Sequence, residues 1–425
     1  MTSIEIPDSV TSIGYAAFSS CSSLTSIEIP DSVTSIGEST FKGCYKLVEV
    51  VNKSSHITVT KDSSDNGYVG YYALAVYNSD DAFESKLSND NGYIVYTDKS
   101  EKILVGYNGT ETDLVLPSYI TKINQYAFYD CDSLTSVVFP DSVTSIGDEA
   151  FYDCDSLTSV VIGDSVTSIG ELAFSSCSSL QYNEKDGLKY LGNDSNLYLY
   201  LADTVSTSIT EANIDGNCRI IGYKAFAFCC DLTSVEIGGS VTTIGQDAFY
   251  NCSSLTSIEV SQNNNSYKSV DGILYTKDGT TLIQYPIGKK DTSFVIPDSV
   301  TSIGECAFLN CDGLTSIEIP DSVTSIGKEA FCSCNNLTSV VIGDSVTSIG
   351  SEAFDYCSSL TNVYYKGTAS EWSKISINSS NASLTNAMRY YYSETEPTLN
   401  ADGTAYDGNY WHYVNGVPTA WIKQD

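Results

Sequence analysis

Apolar residues recur along the chain with a step of 23. Ile13-Gly14 returns as Ile36-Gly37, Ile146-Gly147, Ile169-Gly170, Ile221-Gly222, Ile244-Gly245, Ile303-Gly304, Ile326-Gly327 and Ile349-Gly350. A tenth copy reads Ile123-Asn124. Four residues beyond each Gly or Asn stands a Phe (Phe18 through Phe354), seven beyond a Cys (Cys21 through Cys357) and ten beyond a Leu (Leu24 through Leu360). Four columns filled in every copy mark a stacked-repeat architecture, in which no unit buries its apolar face alone and neighbours close a shared core.

One unit predicts its own elements. Leu24-x-x-Ile27-x-Ile29 alternates apolar and polar, as a short strand does. Pro30-Asp31-Ser32 ends it, because Pro presets a turn and cannot donate to a ladder. Val33 and Ile36 return to the core. Ile36, Phe41 and Cys44 then fall near helical spacing, which predicts a short helical turn. The Gly column implies either a positive φ or a position too crowded for a Cβ, and Asn124 is the next most tolerant residue for the first case. The expected fold is an α/β solenoid of 23-residue units with short parallel strands, short helical turns and inserted β-hairpins. Each unit hides several large apolar side chains at roughly 1.5–3 kcal/mol apiece, which offsets much of the ordering entropy.

The period breaks near residues 48–112, 181–213 and 260–293, and each interruption carries a hairpin signature. The clearest is Gly272 to Tyr285, turning at Asp278-Gly279; Gly92 to Tyr107 and Gly187 to Leu201 are similar. Repeats are expected over 1–365, and a C-terminal cap or small hairpin module over 366–425. That tail holds an amphipathic stretch around Trp372 and a hairpin from Tyr410 to Trp421 turning at Asn415-Gly416.

The formal charge of −32 makes phosphate backbones and anionic lipid poor partners, so nucleic acid and membrane surfaces are not expected. No apolar run is long enough to span a bilayer. The start, Thr2 to Asp8 after Met1, repeats Thr25 to Asp31 from inside a unit, so the sequence is expected to be a piece of a longer protein. The 14 Cys lie mostly in the repeat column and read as small buried hydrophobes, with stacked disulfides as the alternative. His56 and His412 are the only His, and Cys332-x-Cys334 has no second pair, so no zinc set and no other cofactor is expected. The turn Asp column (Asp8, Asp31, Asp141, Asp164, Asp298, Asp321, Asp344) is weighed as a Ca²⁺ ladder against the commoner role of turn Asp, a local backbone hydrogen bond. No phosphate loop, nucleophile elbow or His-paired nucleophile is present, so an enzyme is not expected.

The pattern I-G-x-x-A-F-x-x-C-x-x-L-T-S-I-E-I-P-D-S-V-T-S resembles the BspA-like leucine-rich repeats of surface proteins from gut and oral bacteria and some protist parasites. The end of the chain, Val363 to Gly367, Arg389 to Glu394 and Tyr410 to Tyr413, is similar to the closing segment of Firmicute members. The resemblance implies export, a cell-surface or secreted location, and adhesion to host matrix proteins, glycoconjugates or other cells, with no catalytic residues to carry over. A spacer lifting a missing N-terminal domain off the cell is the alternative. A monomer is expected.

The outward strand positions are nearly monotonous: Ser in one column, Glu or Val in the next. Specific interfaces favour aromatic and Arg anchors, and most of the 31 Tyr lie in the insertions and the tail. Recognition is therefore expected on Tyr68, Tyr71, Tyr72, Tyr93, Tyr96, Tyr107, Tyr275, Tyr285, Trp411 and Tyr413. The competing reading is that these rings pack the hairpins onto the repeats.

Overall fold

The computed structural model describes residues 3–78 and 83–423. Met1 and Thr2, at which the partial repeat begins, lie outside them. The backbone clusters into two compact units, one of residues 1–182 with 191–197 and the other of residues 183–190 with 198–425.

Each repeat contributes two strands where the sequence predicted one. The first is the expected Ser-Ile-x-Ile segment. In the first unit Ser26–Ile29 pairs in parallel with Glu49–Asn52, and Ser136–Val138 with Ser159–Val161, each residue facing the one 23 positions on. The second is the Ser-Ile dipeptide before the Gly: Lys122–Ile123, Ser145–Ile146 and Ser168–Ile169 stack in parallel. In the second unit, Ser316–Ile319, Ser339–Ile342 and Asn362–Tyr365 form one ladder, and Ser302–Ile303, Ser325–Ile326 and Ser348–Ile349 the other. Thr side chains tie successive turns: Thr158 and Thr338 each donate to the carbonyl of the Thr 23 residues earlier, at 3.0 and 2.9 Å.

The predicted helical turn is absent from the repeats, which corrects the α/β reading to a β-solenoid. The segment after the Gly is a chain of tight turns, because two of its residues take left-handed backbone. Glu149 and Asp153 have φ of 51° and 58°, and Glu329 and Ser333 repeat the pair at 54° and 57°. A left-handed residue on every turn cannot continue an α-helix. Its amides bond to the next turn instead: Phe128 N donates to Ala150 O at 2.7 Å and Phe151 N to Ala173 O at 2.8 Å. The described helices lie outside the repeats, at Asp65–Tyr68, Ala369–Trp372 and Ala382–Asn386, and none is long and apolar enough to cross a membrane.

The Gly column answers to crowding and not to φ. A Cβ on Gly147 would sit 2.4 Å from the Gln125 backbone nitrogen, and one on Gly350 2.5 Å from that of Lys328. Inside, the Phe column forms stacks at strand spacing: Phe128, Phe151 and Phe174 lie 4.8 and 5.4 Å apart, and Phe226 and Phe249 5.6 Å apart. The Cys column is more than filler. The thiols of Cys154, Cys177, Cys252 and Cys357 each donate at 3.0 Å to the carbonyl of the Phe in the preceding turn. A small apolar side chain with one weak donor fits that position. All 14 cysteines are free.

The predicted hairpins are present and run into the ladders. Leu87–Asp90, Tyr93–Asp98 and Glu101–Tyr107 form an antiparallel meander, and Glu101–Tyr107 then pairs in parallel with Lys122–Ile123. Leu188–Leu191 neighbours Tyr200–Thr204, as expected between Gly187 and Leu201, and also pairs antiparallel with Asn183–Lys185, which was not expected. Tyr267–Val270, Ile273–Thr276 and Thr281–Gln284 repeat the meander and feed Ser302–Ile303. In the tail, Met388–Tyr392 extends the ladder beyond Asn362–Tyr365, and Tyr410–Val414 with Val417–Ala420 forms the expected hairpin.

Candidate functional site

Six of the ten aromatic residues expected at a binding surface are buried. Tyr285 takes the Phe-column place for its turn: it stacks on Phe308 at 5.2 Å, and its amide donates to Ala307 O as Phe308's does to Ala330 O. Its hydroxyl donates to Asp291. Tyr275 and Tyr96 are 3% exposed, and burial pushes both hydroxyls up to about 12. Tyr93 is buried with its hydroxyl donating to Val115 O, and Tyr72 is buried with its oxygen accepting from Gly43 N. Trp411 is fully buried and donates from Nε1 to Tyr365 O at 2.8 Å. The hairpin strands continue the ladders and are covered on both faces, since Tyr93 to Tyr96 and Ile273 to Tyr275 are buried without a break, while Tyr72 packs from the turn before Ala75–Asn78.

Four remain at or near the surface. Tyr413 is half-buried, and its hydroxyl reaches Glu318 at 2.6 Å, where Lys366 also pairs at 3.1 Å. Tyr107 is half-buried against Tyr93. Tyr68 is half-buried and Tyr71 is 39% exposed, their rings 5.2 Å apart.

Tyr71 opens a larger cluster that the sequence reading missed. Tyr71 meets Tyr72 edge-on at 4.9 Å, and Tyr72 meets Tyr126 at 5.6 Å. Tyr126 stacks on Tyr45 at 4.6 Å, Tyr45 lies 4.5 Å from Tyr129, and Tyr129 stacks on Tyr152 at 5.3 Å. The line of rings therefore joins the first insertion to the repeats that follow it. Beside it lies a groove of about 350 Å³ lined by Asp62, Tyr71, Gln125, Tyr126, Asp148, Glu149, Glu171 and Leu172. Tyr126 donates to Glu149 Oε1 at 3.3 Å, and Asp148 Oδ1 accepts from Glu171 N at 2.8 Å. Burial, and then the neighbouring Asp148 charge, hold the Glu149 carboxyl above the usual range although Tyr126 opposes the shift.

A sequence signal for this groove exists. Its floor is built from the two residues after the Gly column: Gln125-Tyr126, Asp148-Glu149 and Glu171-Leu172. Elsewhere the same pair reads Glu38-Ser39, Tyr223-Lys224 and Lys328-Glu329. Unlike the Ile, Phe, Cys and Leu columns, these positions differ from turn to turn, as do the two before the Cys, and the second has positive φ in every described copy. The position lies outside the Ile, Phe, Cys and Leu columns of the shared core, so their packing does not fix its residue type.

The turn Asp column binds the stack together across turns. Asp141 Oδ1 accepts from Asp164 N at 3.2 Å, and Asp321 Oδ1 from Asp344 N at 3.3 Å. These are contacts to the next repeat, not the local backbone bonds expected. Among the described residues no group of three His, Cys, Asp or Glu is arranged to hold a metal ion.

The profile of the BspA type leucine rich repeat region matches residues 1–65, 107–195, 204–270 and 288–389 in six copies. The chain belongs to the BspA-type leucine-rich repeat family. Solved structures with similar repeats include a leucine-rich cell surface protein from Faecalibacterium prausnitzii A2-165, 26% identical over 71% of this chain and 99% of that one, with a TM-score of 0.34. A leucine-rich repeat protein from Eubacterium ventriosum ATCC 27560 is 24% identical over 74% of this chain and 80% of its own, with a TM-score of 0.42. One from Bacteroides ovatus ATCC 8483 is 24% identical over 92% and 91%, with a TM-score of 0.31. No curated protein matches the chain.

Proposed function

We propose that this chain is a non-enzymatic binding scaffold of the cell surface or the secreted space, and that it adheres to a protein ligand through the tyrosine-lined groove of the first unit. Family membership supports a protein-binding role in general. The observation that carries the finer reading is the coincidence, at one corner of the repeats, of an exposed Tyr71, a connected line of rings and a concavity floored by positions that vary from turn to turn. The outward strand face offers Ser, Glu and Val instead. Part of it is already covered, since Val341 is 4% exposed and Glu49 is buried under Ser85 and Lys86, which both donate to its carboxylate.

The test is binding of the full chain to immobilised extracellular-matrix proteins and bacterial surface glycans, with Tyr71→Ala beside the parent. Saturable binding to a matrix protein, weakened by Tyr71→Ala, is expected. No saturable binding across the panel returns the chain to the spacer reading. Binding that ignores Tyr71 moves the recognition surface elsewhere.

A further inference from the structure

We infer that the groove between Tyr71, Tyr126, Asp148 and Glu149 receives an arginine side chain presented by a protein partner. The inference rests on the proposed recognition surface and names the chemistry that it selects.

Charge complementarity comes first. Asp62, Asp148, Glu149 and Glu171 all line this one concavity, and no ion pair among the described residues engages Asp62, Asp148 or Glu149. Other acidic positions of the molecule do have basic partners: Glu28 with Lys53, Asp215 with Lys185, Glu318 with Lys366. No Lys or Arg lines the groove, and Asp62, Asp148 and Glu149 offer a partner's cation matching charge to meet.

Shape and spacing then choose among cations. The carboxylates do not converge: among the described residues no three acidic, Cys or His groups are placed to share a metal ion. They are spread over two successive turns, with Asp148 and Glu149 on one and Glu171 on the next, and over Asp62 of the first insertion, which suits an elongated cation with several donors. A guanidinium carries five N–H donors in a plane and can bridge two carboxylates, whereas an ammonium is a compact, strongly hydrated point charge. The walls favour the same choice. Tyr71 stands 39% exposed at the groove, and tyrosine rings take guanidinium by stacking and cation–π attraction. The volume of about 350 Å³ is at the low end of ligand pockets, roughly 300–1,000 Å³, and so admits one long side chain and not a folded segment.

The strain on Glu149 agrees. Its carboxyl is held above the usual range by burial and by Asp148, the condition of a site that lacks its counter-charge. An entering guanidinium reverses the second cause and offsets the first.

The experiment is calorimetric titration of the full chain with three acetylated, amidated tripeptides: glycine–arginine–glycine, the same with citrulline, and the same with lysine. Citrulline keeps the shape and removes the charge. Saturable binding of the arginine peptide is expected, with roughly tenfold weaker binding of the other two. The double variant Asp148→Asn with Glu149→Gln is expected to weaken the arginine peptide roughly tenfold. Glu236→Gln with Glu259→Gln removes the same net charge from strand positions of the second unit, and is expected to leave affinity within about twofold. Equal loss in both double variants means that the overall negative field attracted the peptide, and overturns the inference. So does equal binding of citrulline or lysine. If a matrix protein loses affinity on Tyr71→Ala while the arginine peptide shows no preference, the guanidinium assignment falls and the recognition surface stands.

Discussion

Gly147→Ala and Gly14→Ala change the same repeat position, yet the structure predicts opposite outcomes. Neither glycine has a positive φ, so backbone strain does not separate them. Space does. The new Cβ at 147 would lie 2.4 Å from Gln125 N and 2.8 Å from the Asn124 carbonyl carbon, whereas at 14 it meets nothing within 4 Å. Both clashing atoms are backbone, so no side chain can swing away. Restoring an ordinary contact of 3.4 Å requires the two turns to part by about 1 Å. The bond from Gly147 N to Ile123 O, now 3.0 Å, then passes out of hydrogen-bonding range. Overpacking of about 1–3 kcal/mol and one lost hydrogen bond of about 1 kcal/mol give a loss of about 2–4 kcal/mol. Gly14→Ala is expected to be neutral or stabilising by up to about 1 kcal/mol, since Ala restricts the unfolded chain. Repeat arrays open locally, so the assay pairs urea unfolding with amide exchange read by mass spectrometry. Gly147→Ala is expected to lower the midpoint and to speed exchange in peptides covering 120–150. Similar effects from both substitutions would refute the crowding argument.

Three further outcomes follow from the same contacts. Glu149's raised pKa means that folding disfavours its charged form, so its contribution is present below the unfolded value and is lost as pH rises through the folded one. Glu149→Gln should therefore melt slightly higher than the parent at pH 7, and the gap should close near pH 4; a gap that widens in acid contradicts the assignment. Burial holds the thiols of Cys44, Cys252 and Cys357 up to about 12, while Cys230 is exposed. A thiol-specific chromogenic reagent at pH 8 should find its fastest group in the native chain at Cys230, lost in Cys230→Ser, with half-buried Cys21 and Cys131 slower and all 14 reactive after denaturation. Trp411→Ala empties a fully buried site and strands the Tyr365 carbonyl that Nε1 serves, at a cost of about 3–5 kcal/mol. Proteolysis within 393–423 should accelerate, and unchanged cleavage would refute the packing of the tail.

The columns that face the shared core were legible because packing dictates them. Phe151, Cys154 and Leu157 read as interior from spacing alone, and all three are fully buried. The helical turn was misread because apolar spacing around Ile36, Phe41 and Cys44 does not reveal backbone handedness. Left-handed φ falls here on Glu, Asp, Ser, Leu and Lys as well as Asn, which propensity does not flag. The Gly column left crowding and positive φ open, since both ask for a residue without a Cβ. The buried aromatics were misjudged for another reason. Strands such as Glu101–Tyr107 looked like appended hairpins but continue a ladder through Ile103 and Lys122, and consecutive residues of it and of Tyr93–Asp98 are buried, so both faces are covered. Removal of that hairpin would break the sheet and leave nothing to test for binding. The groove was missed because its parts lie far apart in sequence, Tyr71 meeting Tyr126 only once the first insertion folds back on the repeats.

The most direct test of the central claim, that recognition resides on the variable corner and not on the uniform strand face, is an exchange footprint of the full chain with a bound matrix protein. Amides in 60–72 and 123–173 should slow when the partner is present, and those of the outward strands at 211–213, 234–237 and 257–260 should not change. Protection confined to those strands, with the tyrosine corner unaffected, would contradict the account.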